Sequence, residues 1–260
     1  MYSAIARGLP TLIVTALLSA CGGGGDVNFT ISPTFPPLFP PVGNTDFIAR
    51  ENFAFNLNGA GRDRLVLSGI NGKIEITGDL VGSGIAITGQ REVGAASLAD
   101  AQAQLPALQV DVQEVGAEVV VRTIQPQTTG GRSYIVNYRI RLPASLAVSI
   151  ANVNGGLELN GMNGGVDASL VNGQTEARLA VPSGGSVRLK GVNGNIDLHL
   201  PLATSAVFSA QVGIGTITLT DLALQNEVRT GTSLRGLLGT GNGTVTLETG
   251  NGSIRVDAAP

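Results

Sequence analysis

The chain has 260 residues, 37 of them glycine, with no tryptophan, one histidine and one cysteine. Charged residues make up 13 % and the formal net charge is −3, where soluble domains usually carry roughly 25 % charged residues. This composition speaks against charge-driven disorder and against Glu/Lys/Ala-rich helical bundles. It offers no basic run for a nucleic-acid backbone, and a lone cysteine excludes an internal disulfide. The length suffices to bury a core without disulfides or metal.

Residues 1–20 read as a secretory signal. Arg7 supplies the positive start, and the apolar stretch Leu9–Leu18 is too short to span a bilayer, which takes about 20 residues. Leu18-Ser19-Ala20-Cys21 follows, and Gly22 to Gly25 come next. The Leu-Ser-Ala-Cys order resembles the lipobox of bacterial lipoproteins. That resemblance implies cleavage before Cys21, diacylglycerol on its thiol and acylation of the new amino terminus. Two or three acyl chains are what a stable anchor needs. Gly22 follows the cysteine directly, with Asp26 further on, and the resemblance then favours the outer membrane. Residues 21–46 read as the lipidated cysteine and its tether, Gly-rich first and then extended by Pro33, Pro36, Pro37, Pro40 and Pro41,. Phe35, Leu38 and Phe39 among the prolines could dock on the body or serve as a partner's ligand.

Residues 47–260 form the body, and their signal is a recurring Asn-Gly. Asn71-Gly72, Asn154-Gly155, Asn163-Gly164, Asn172-Gly173, Asn193-Gly194, Asn242-Gly243 and Asn251-Gly252 each precede an apolar–polar–apolar stretch such as Leu157-Glu158-Leu159 or Ile196-Asp197-Leu198. Gly215 before Ile217-Thr218-Leu219 is a variant without the Asn. Asn154, Asn163 and Asn172 are nine apart, as are Asn242 and Asn251, whereas Asn172 and Asn193 are 21 apart. Asn and Gly both tolerate the positive φ of a tight turn, and a period of two makes a half-buried strand. Turns recurring with one polarity at a fixed period predict a stack of equivalent strands, a parallel β-solenoid. Asn-Gly is also the strongest short hairpin signal, so an antiparallel meander or sandwich is the alternative.

Between Asn71 and Asn154 the pattern loosens. Ser97 to Leu105 reads as a short helix capped by Ser97 and stopped before Pro106. Gln109–Gln113 and Glu118–Thr123 read as strands. Tyr134, Val136, Tyr138, Ile140 and Leu142 alternate with Asn137, Arg139 and Arg141 in a long amphipathic strand ending at Pro143.

Ile70-Asn71-Gly72-Lys73-Ile74-Glu75-Ile76, the strand into Leu142-Pro143, the Asn-Gly series and the closing Gly250-Asn251-Gly252-Ser253-Ile254-Arg255-Val256 resemble a family of bacterial envelope domains called putative adhesins. The head domains of autotransporter adhesins are close to it in pattern. The resemblance spans roughly residues 50–257 and implies a β-solenoid on the cell envelope.

Chemistry is sparse. His199, the only histidine, lies on the outward parity of its strand beside Asp197, which leaves no material for a His-based triad or a Cys/His zinc site. The nine-residue spacing invites comparison with calcium-binding nonapeptide rolls, yet Asn163-Gly164-Gly165-Val166-Asp167 lacks their third glycine. Glu158 and Glu176 fall on strands where that pattern wants turns. Glu158, Asp167, Glu176 and Asp197 could supply a carboxylate pair for glycoside hydrolysis, but nothing selects a pair. Gly213-Ile214-Gly215 and the Gly-Thr-Gly at 239–241 precede no helix and make no phosphate loop. The sequence therefore predicts no catalytic, metal or cofactor site and no cofactor. Its readings are a lipid-anchored envelope binding or adhesion module with an unnamed envelope or surface ligand, a periplasm-facing structural or regulatory protein, and a polysaccharide-active enzyme.

The anchor has a direct test. Cys21→Ser should release the mature body from membranes or leave it with an uncleaved signal. Membrane fractionation and gel migration identical to the wild type would remove the lipoprotein reading.

Overall fold

The computed structural model describes residues 45–259; the signal, Cys21 and nearly all of the tether lie outside them. The body is all-β with one short helix. Its elements run β1 (Phe47–Asn58), β2 (Arg64–Ser68), β3 (Ile74–Gly78), β4 (Gly84–Ala95), α1 (Leu98–Gln104), a 3-10 turn (Leu105–Ala107), β5 (Gln109–Val115), β6 (Glu118–Ile124) and β7 (Ser133–Leu142). Then follow β8 (Ala147–Asn154), β9 (Leu157–Met162), β10 (Val166–Asn172), β11 (Thr175–Leu179), β12 (Ser186–Asn193) and β13 (Ile196–Pro201). The chain ends with β14 (Ala206–Ile214), β15 (Ile217–Thr220), β16 (Gln225–Arg229), β17 (Ser233–Leu238), β18 (Gly243–Asn251) and β19 (Ile254–Ala259).

These strands build a nine-stranded sheet, β1-β4-β7-β3-β9-β11-β13-β19-β15, and a ten-stranded sheet, β16-β17-β14-β18-β12-β10-β8-β2-β6-β5. From β8 to β13 successive strands alternate between the two sheets, so each Asn-Gly turn after a strand of the ten-stranded sheet starts a strand of the nine-stranded one. Each such pair makes one rung, and rungs stack by parallel pairing. Seven rungs result, in spatial order β6/β7, β2/β3, β8/β9, β10/β11, β12/β13, β18/β19 and β14/β15. Neither end follows chain order. The first rung made, β2/β3, and the last, β18/β19, each lie one place inside the stack. Both halves of the sequence, before and after Pro143, contribute to both sheets.

The core lies between the sheets. In the nine-stranded sheet Ile74, Leu157, Thr175, Ile196 and Ile254 form one inward column, and Ile76, Leu159, Ala177, Leu198 and Val256 the next. Leu65, Val148, Val166, Val187, Val245 and Phe208 face them from the other sheet, all at most 2 % exposed. At about 25 cal/mol per Å² of apolar surface, such columns stabilise only when stacked, because one rung alone leaves both its flanks in water.

The corner joining the two sheets is fixed by glycine. Gly72, Gly155, Gly173, Gly194 and Gly252 have φ between 123° and 149°, a region that side chains rarely adopt. The positions also leave no room, since a Cβ on Gly155, Gly173, Gly194 or Gly252 would overlap the carbonyl oxygen of the equivalent glycine one rung away. The close approach keeps the backbone ladder unbroken around the bend. Gly155 N–H donates to Asn172 O at 3.0 Å, Gly173 N–H to Asn193 O at 2.9 Å and Gly194 N–H to Asn251 O at 2.8 Å. The asparagines beside these glycines form a second, side-chain ladder. Asn154 Nδ2 donates to Asn71 Oδ1 (2.7 Å), Asn172 to Asn154 (2.8 Å), Asn193 to Asn172 (2.8 Å) and Asn251 to Asn193 (2.9 Å). Two buried polar side chains complete the corner: Asn152 Nδ2 donates to Gly72 O and Thr249 Oγ1 to Gly194 O.

The structure departs from the sequence reading in three ways. The sheets are mixed, so neither an all-parallel solenoid nor an antiparallel meander describes them. At one end β1, β4 and β7 pair antiparallel, as do β5 and β6; at the other, β17 pairs antiparallel with β14 and β16. Second, Asn163-Gly164 and Asn242-Gly243 belong to the opposite corner, where each precedes a strand of the ten-stranded sheet. Nine residues from Asn154 therefore lead from one sheet to the other, and Asn172 stands at the equivalent turn of the next rung. The three extra residues before Asn193 fall in the loop after β11. Third, β1, β2, β4, β8, β12, β14, β16 and β17 are absent from the sequence reading, and none of them directly follows an Asn-Gly. The helix is capped at Ser97, whose side chain accepts from Asp100 N–H, and Pro106 lies inside the 3-10 turn that follows it.

Gly194→Ala should destabilise the body by about 3 kcal/mol or more, because it combines backbone strain with steric overlap. Gly184→Ala, also at positive φ (70°) but facing open space, should cost roughly 1 kcal/mol. Urea unfolding of the two variants measures the difference, and equal losses would mean that close approach between rungs does not govern the corner.

Candidate functional site

The outer face of the nine-stranded sheet carries most of the ordered charge. Parallel register lines up Arg139, Glu75, Glu158, Glu176, Asp197 and Arg255 on neighbouring strands. Four carboxylates thus stand about 4.8 Å apart in strand spacing, bracketed by an arginine at either end. Such a column is tolerable only with compensation, since like charges directly across a strand pair are destabilising.

The neighbouring columns supply it. Lys73 Nζ lies 2.6 Å from Glu75 and 2.7 Å from Glu158, Arg139 Nε 3.0 Å from Glu75, and Arg178 Nη1 2.6 Å from Glu176. Gln174 Nε2 donates to Asp197 at 2.6 Å. The Lys73 ammonium holds both the Glu75 and Glu158 carboxyls below the ordinary carboxylate range, and their hydrogen bonds raise Lys73 in turn. These groups are partly exposed, which limits the worth of each pair to about 1 kcal/mol or less.

Toward β15 the face changes from ion-paired to open. A shallow depression of about 310 Å3 is lined by Asn195, Asp197, Thr216, Thr218, Ser253, Ile254 and Arg255. Asn195 Oδ1 accepts from Ser253 N–H, and the Ser253 and Thr216 hydroxyls lie 3.1 Å apart. A guanidinium, a carboxylate, an amide and hydroxyls share this surface.

The structure separates the sequence-predicted carboxylates. Glu158, Glu176 and Asp197 share the face described above, while Asp167 lies on β10 and faces outward from the ten-stranded sheet. A step of nine residues from Glu158 or Asp167 crosses to the other sheet, so carboxylates at that spacing emerge on opposite sides of the body. Among the described residues, no group of three His, Cys, Asp or Glu is arranged to hold a metal ion. Glycoside hydrolysis needs one carboxyl kept protonated by a raised pKa; Glu158 is pushed the other way. His199 is half-exposed on β13, in register with Arg178 and Asp257. Cys21 lies outside the described residues. Sequence reasoning missed Lys73 and Arg255 as members of the charged face. The signal was present as the residue after Asn71-Gly72 and the polar position of Ser253-Ile254-Arg255, but which strands are neighbours is set by rung order, not by chain order.

No protein-family description matches the chain, and no curated protein does so by sequence. Its fold is that of a solved structure described as a putative cell adhesion protein from Clostridium sporogenes, with a TM-score of 0.59 at 14 % identity over 81 % of this chain and 100 % of that one. A putative adhesin from Bacteroides fragilis aligns over 80 % of this chain and 97 % of its own at 11 % identity, with a TM-score of 0.27.

Lys73→Met should lower stability near neutral pH by about 1 kcal/mol. Both carboxyls have folded pKa values below their unfolded ones, so their share of the Lys73 pairing is present above the ordinary carboxylate range and is lost as pH falls through the depressed values. Denaturation of wild type and variant across pH should therefore converge in acid. A constant gap would mean that the lysine acts by packing alone.

Proposed function

We propose that the chain is a non-catalytic, lipid-anchored protein of the bacterial cell envelope whose body is a binding or adhesion module. In this reading the parallel-paired rungs are a β-solenoid, with antiparallel strands as end covers that keep the stack from growing by edge pairing. The observation that carries the reading is the outer face of the nine-stranded sheet. It is long, regular, polar and laced with ion pairs, and it passes into an open patch around Arg255. The description of the Clostridium sporogenes protein of like fold as a putative cell adhesion protein supports it. So does the sequence of parts ahead of Thr45: the signal, the lipobox-like cysteine and the proline-rich spacer. Cys21 carries the lipid, the outer membrane is the favoured site, and residues 22–46 hold the body away from the bilayer. The ligand is an envelope or surface component that meets the polar face through hydrogen bonds and charge.

A periplasm-facing structural or regulatory role uses the same anchor and face and lacks only surface display. Protease shaving of intact cells separates the two. Loss of the body from intact cells is the expected result. Protection until the envelope is broken would overturn adhesion and direct the search to envelope partners by cross-linking.

A further inference from the structure

Asparagine followed by glycine is the dipeptide most prone to losing its side-chain amide. The glycine nitrogen, unhindered by a side chain, attacks the asparagine Cγ; a C–N bond forms and ammonia leaves. The cyclic imide then takes up water from solvent and opens to aspartate or isoaspartate. A chain with Asn-Gly at 58, 71, 154, 160, 163, 172, 193, 242 and 251 exposes itself to this reaction many times over. We propose that the side-chain ladder keeps its asparagines as amides, and that the opposite-corner turns at Asn163 and Asn242 are the modification sites at which the folded chain deamidates.

Attack needs the asparagine side chain to swing onto the nitrogen that follows it in the chain. At Asn154, Asn172 and Asn193 both side-chain atoms are already engaged: the amide nitrogen donates to the neighbour on one side and the oxygen accepts from the neighbour on the other. Asn71 is held as firmly, accepting from Asn154 and donating to Tyr134 O at 3.1 Å. Asn251, the last of the series, donates to Asn193, and the residue beside it in the next rung is Ile214, so one of its two atoms is held. Asn58 and Asn160 have local partners, Ala60 N–H with the Ser83 hydroxyl and the Glu158 carboxylate respectively.

Asn163 and Asn242 are different. Both side chains are exposed, and among the described residues neither has a side-chain hydrogen bond. One backbone bond restrains the attacking nitrogen in each case, Gly164 N–H to Ala144 O and Gly243 N–H to Ser205 O, both 2.9 Å. The ladder also resists the product. A carboxylate in place of Asn172 would set an acceptor against the Asn154 oxygen where a donor now stands.

The test is peptide mass mapping of the purified full-length chain in detergent, aged in mildly alkaline buffer, with the urea-unfolded chain as the reference rate for each site. Relative to that reference, Asn154, Asn172 and Asn193 should be slowed about thirtyfold more than Asn163 and Asn242, the factor expected from breaking two side-chain hydrogen bonds. Asn251 should fall between them. Equal slowing at both corners would overturn the proposal. Asn193→Ala then separates the ladder from general rigidity. It should speed deamidation at Asn172 and Asn251 and leave Asn71 unchanged. Acceleration at Asn71 as well, or at no site, would place the protection in the fold as a whole and overturn the ladder's role.

Discussion

Everything in this body depends on how closely one rung can approach the next at a single corner. The parallel pairing of both sheets requires the backbone to turn between them without losing a hydrogen bond, and the turn must be identical in successive rungs. A glycine at φ near 140° does this only if its α-carbon can sit against the carbonyl of the glycine beyond it. Once that contact repeats, the neighbouring asparagines are brought to one spacing and their amides pair in series. The inward aliphatics then fall into columns. The outward residues fall into columns too, so the same constraint that builds the core sets carboxylate against carboxylate on the surface. The ion pairs of Lys73, Arg139 and Arg178 are the response to a crowding that the corner imposes.

Much of this was legible in the sequence. Turn chemistry and two-residue alternation located β3, β9, β10, β11, β13, β15, β18 and β19, and the burial of Leu157, Leu159, Ile196, Leu198, Ile254 and Val256 follows the parity read from the residues alone. Spacing was harder to interpret. Asn163 looks like Asn154 and Asn172 to the eye, and only the path of the chain through two sheets shows that it bends the opposite corner. A local pattern reports a turn; it does not report which sheet the turn leaves. The charged face illustrates the same limit. Glu158, Glu176 and Asp197 were identifiable as outward residues, but the exclusion of Asp167 and the inclusion of Glu75 and Arg255 are facts of rung order.

Among the strands that the sequence did not reveal, four share a physical reason. β1, β4, β16 and β17 lie at the ends, where a rung has one neighbour and the demand for a glycine corner lapses. There the pairing turns antiparallel, strands lengthen or shorten, and side chains such as Phe53, Phe55 and Leu57 cover the mouth of the core. These end strands carry no Asn-Gly repeat, so the repeat cannot find them.

The placement of the first and last rungs inside the stack bears on how the molecule is assembled. A repeat array whose order in space matches its order in the chain can grow outward one unit at a time, each new unit docking on its predecessor. Here β14 and β15 cannot dock on β12 and β13 directly, because the strands that join them, Gly243–Asn251 and Ile254–Ala259, come later in the chain. Closure of that end of the stack is a long-range event that waits for β18 and β19, the kind of contact that slows folding,. A chain without β18 and β19 would therefore be left with a gap one place from its end, and the terminal rung β14/β15 parted from the stack, while a simple array would merely be shorter. The arrangement makes β18 and β19, which follow β14 and β15 in the chain, the wedge that completes the stack.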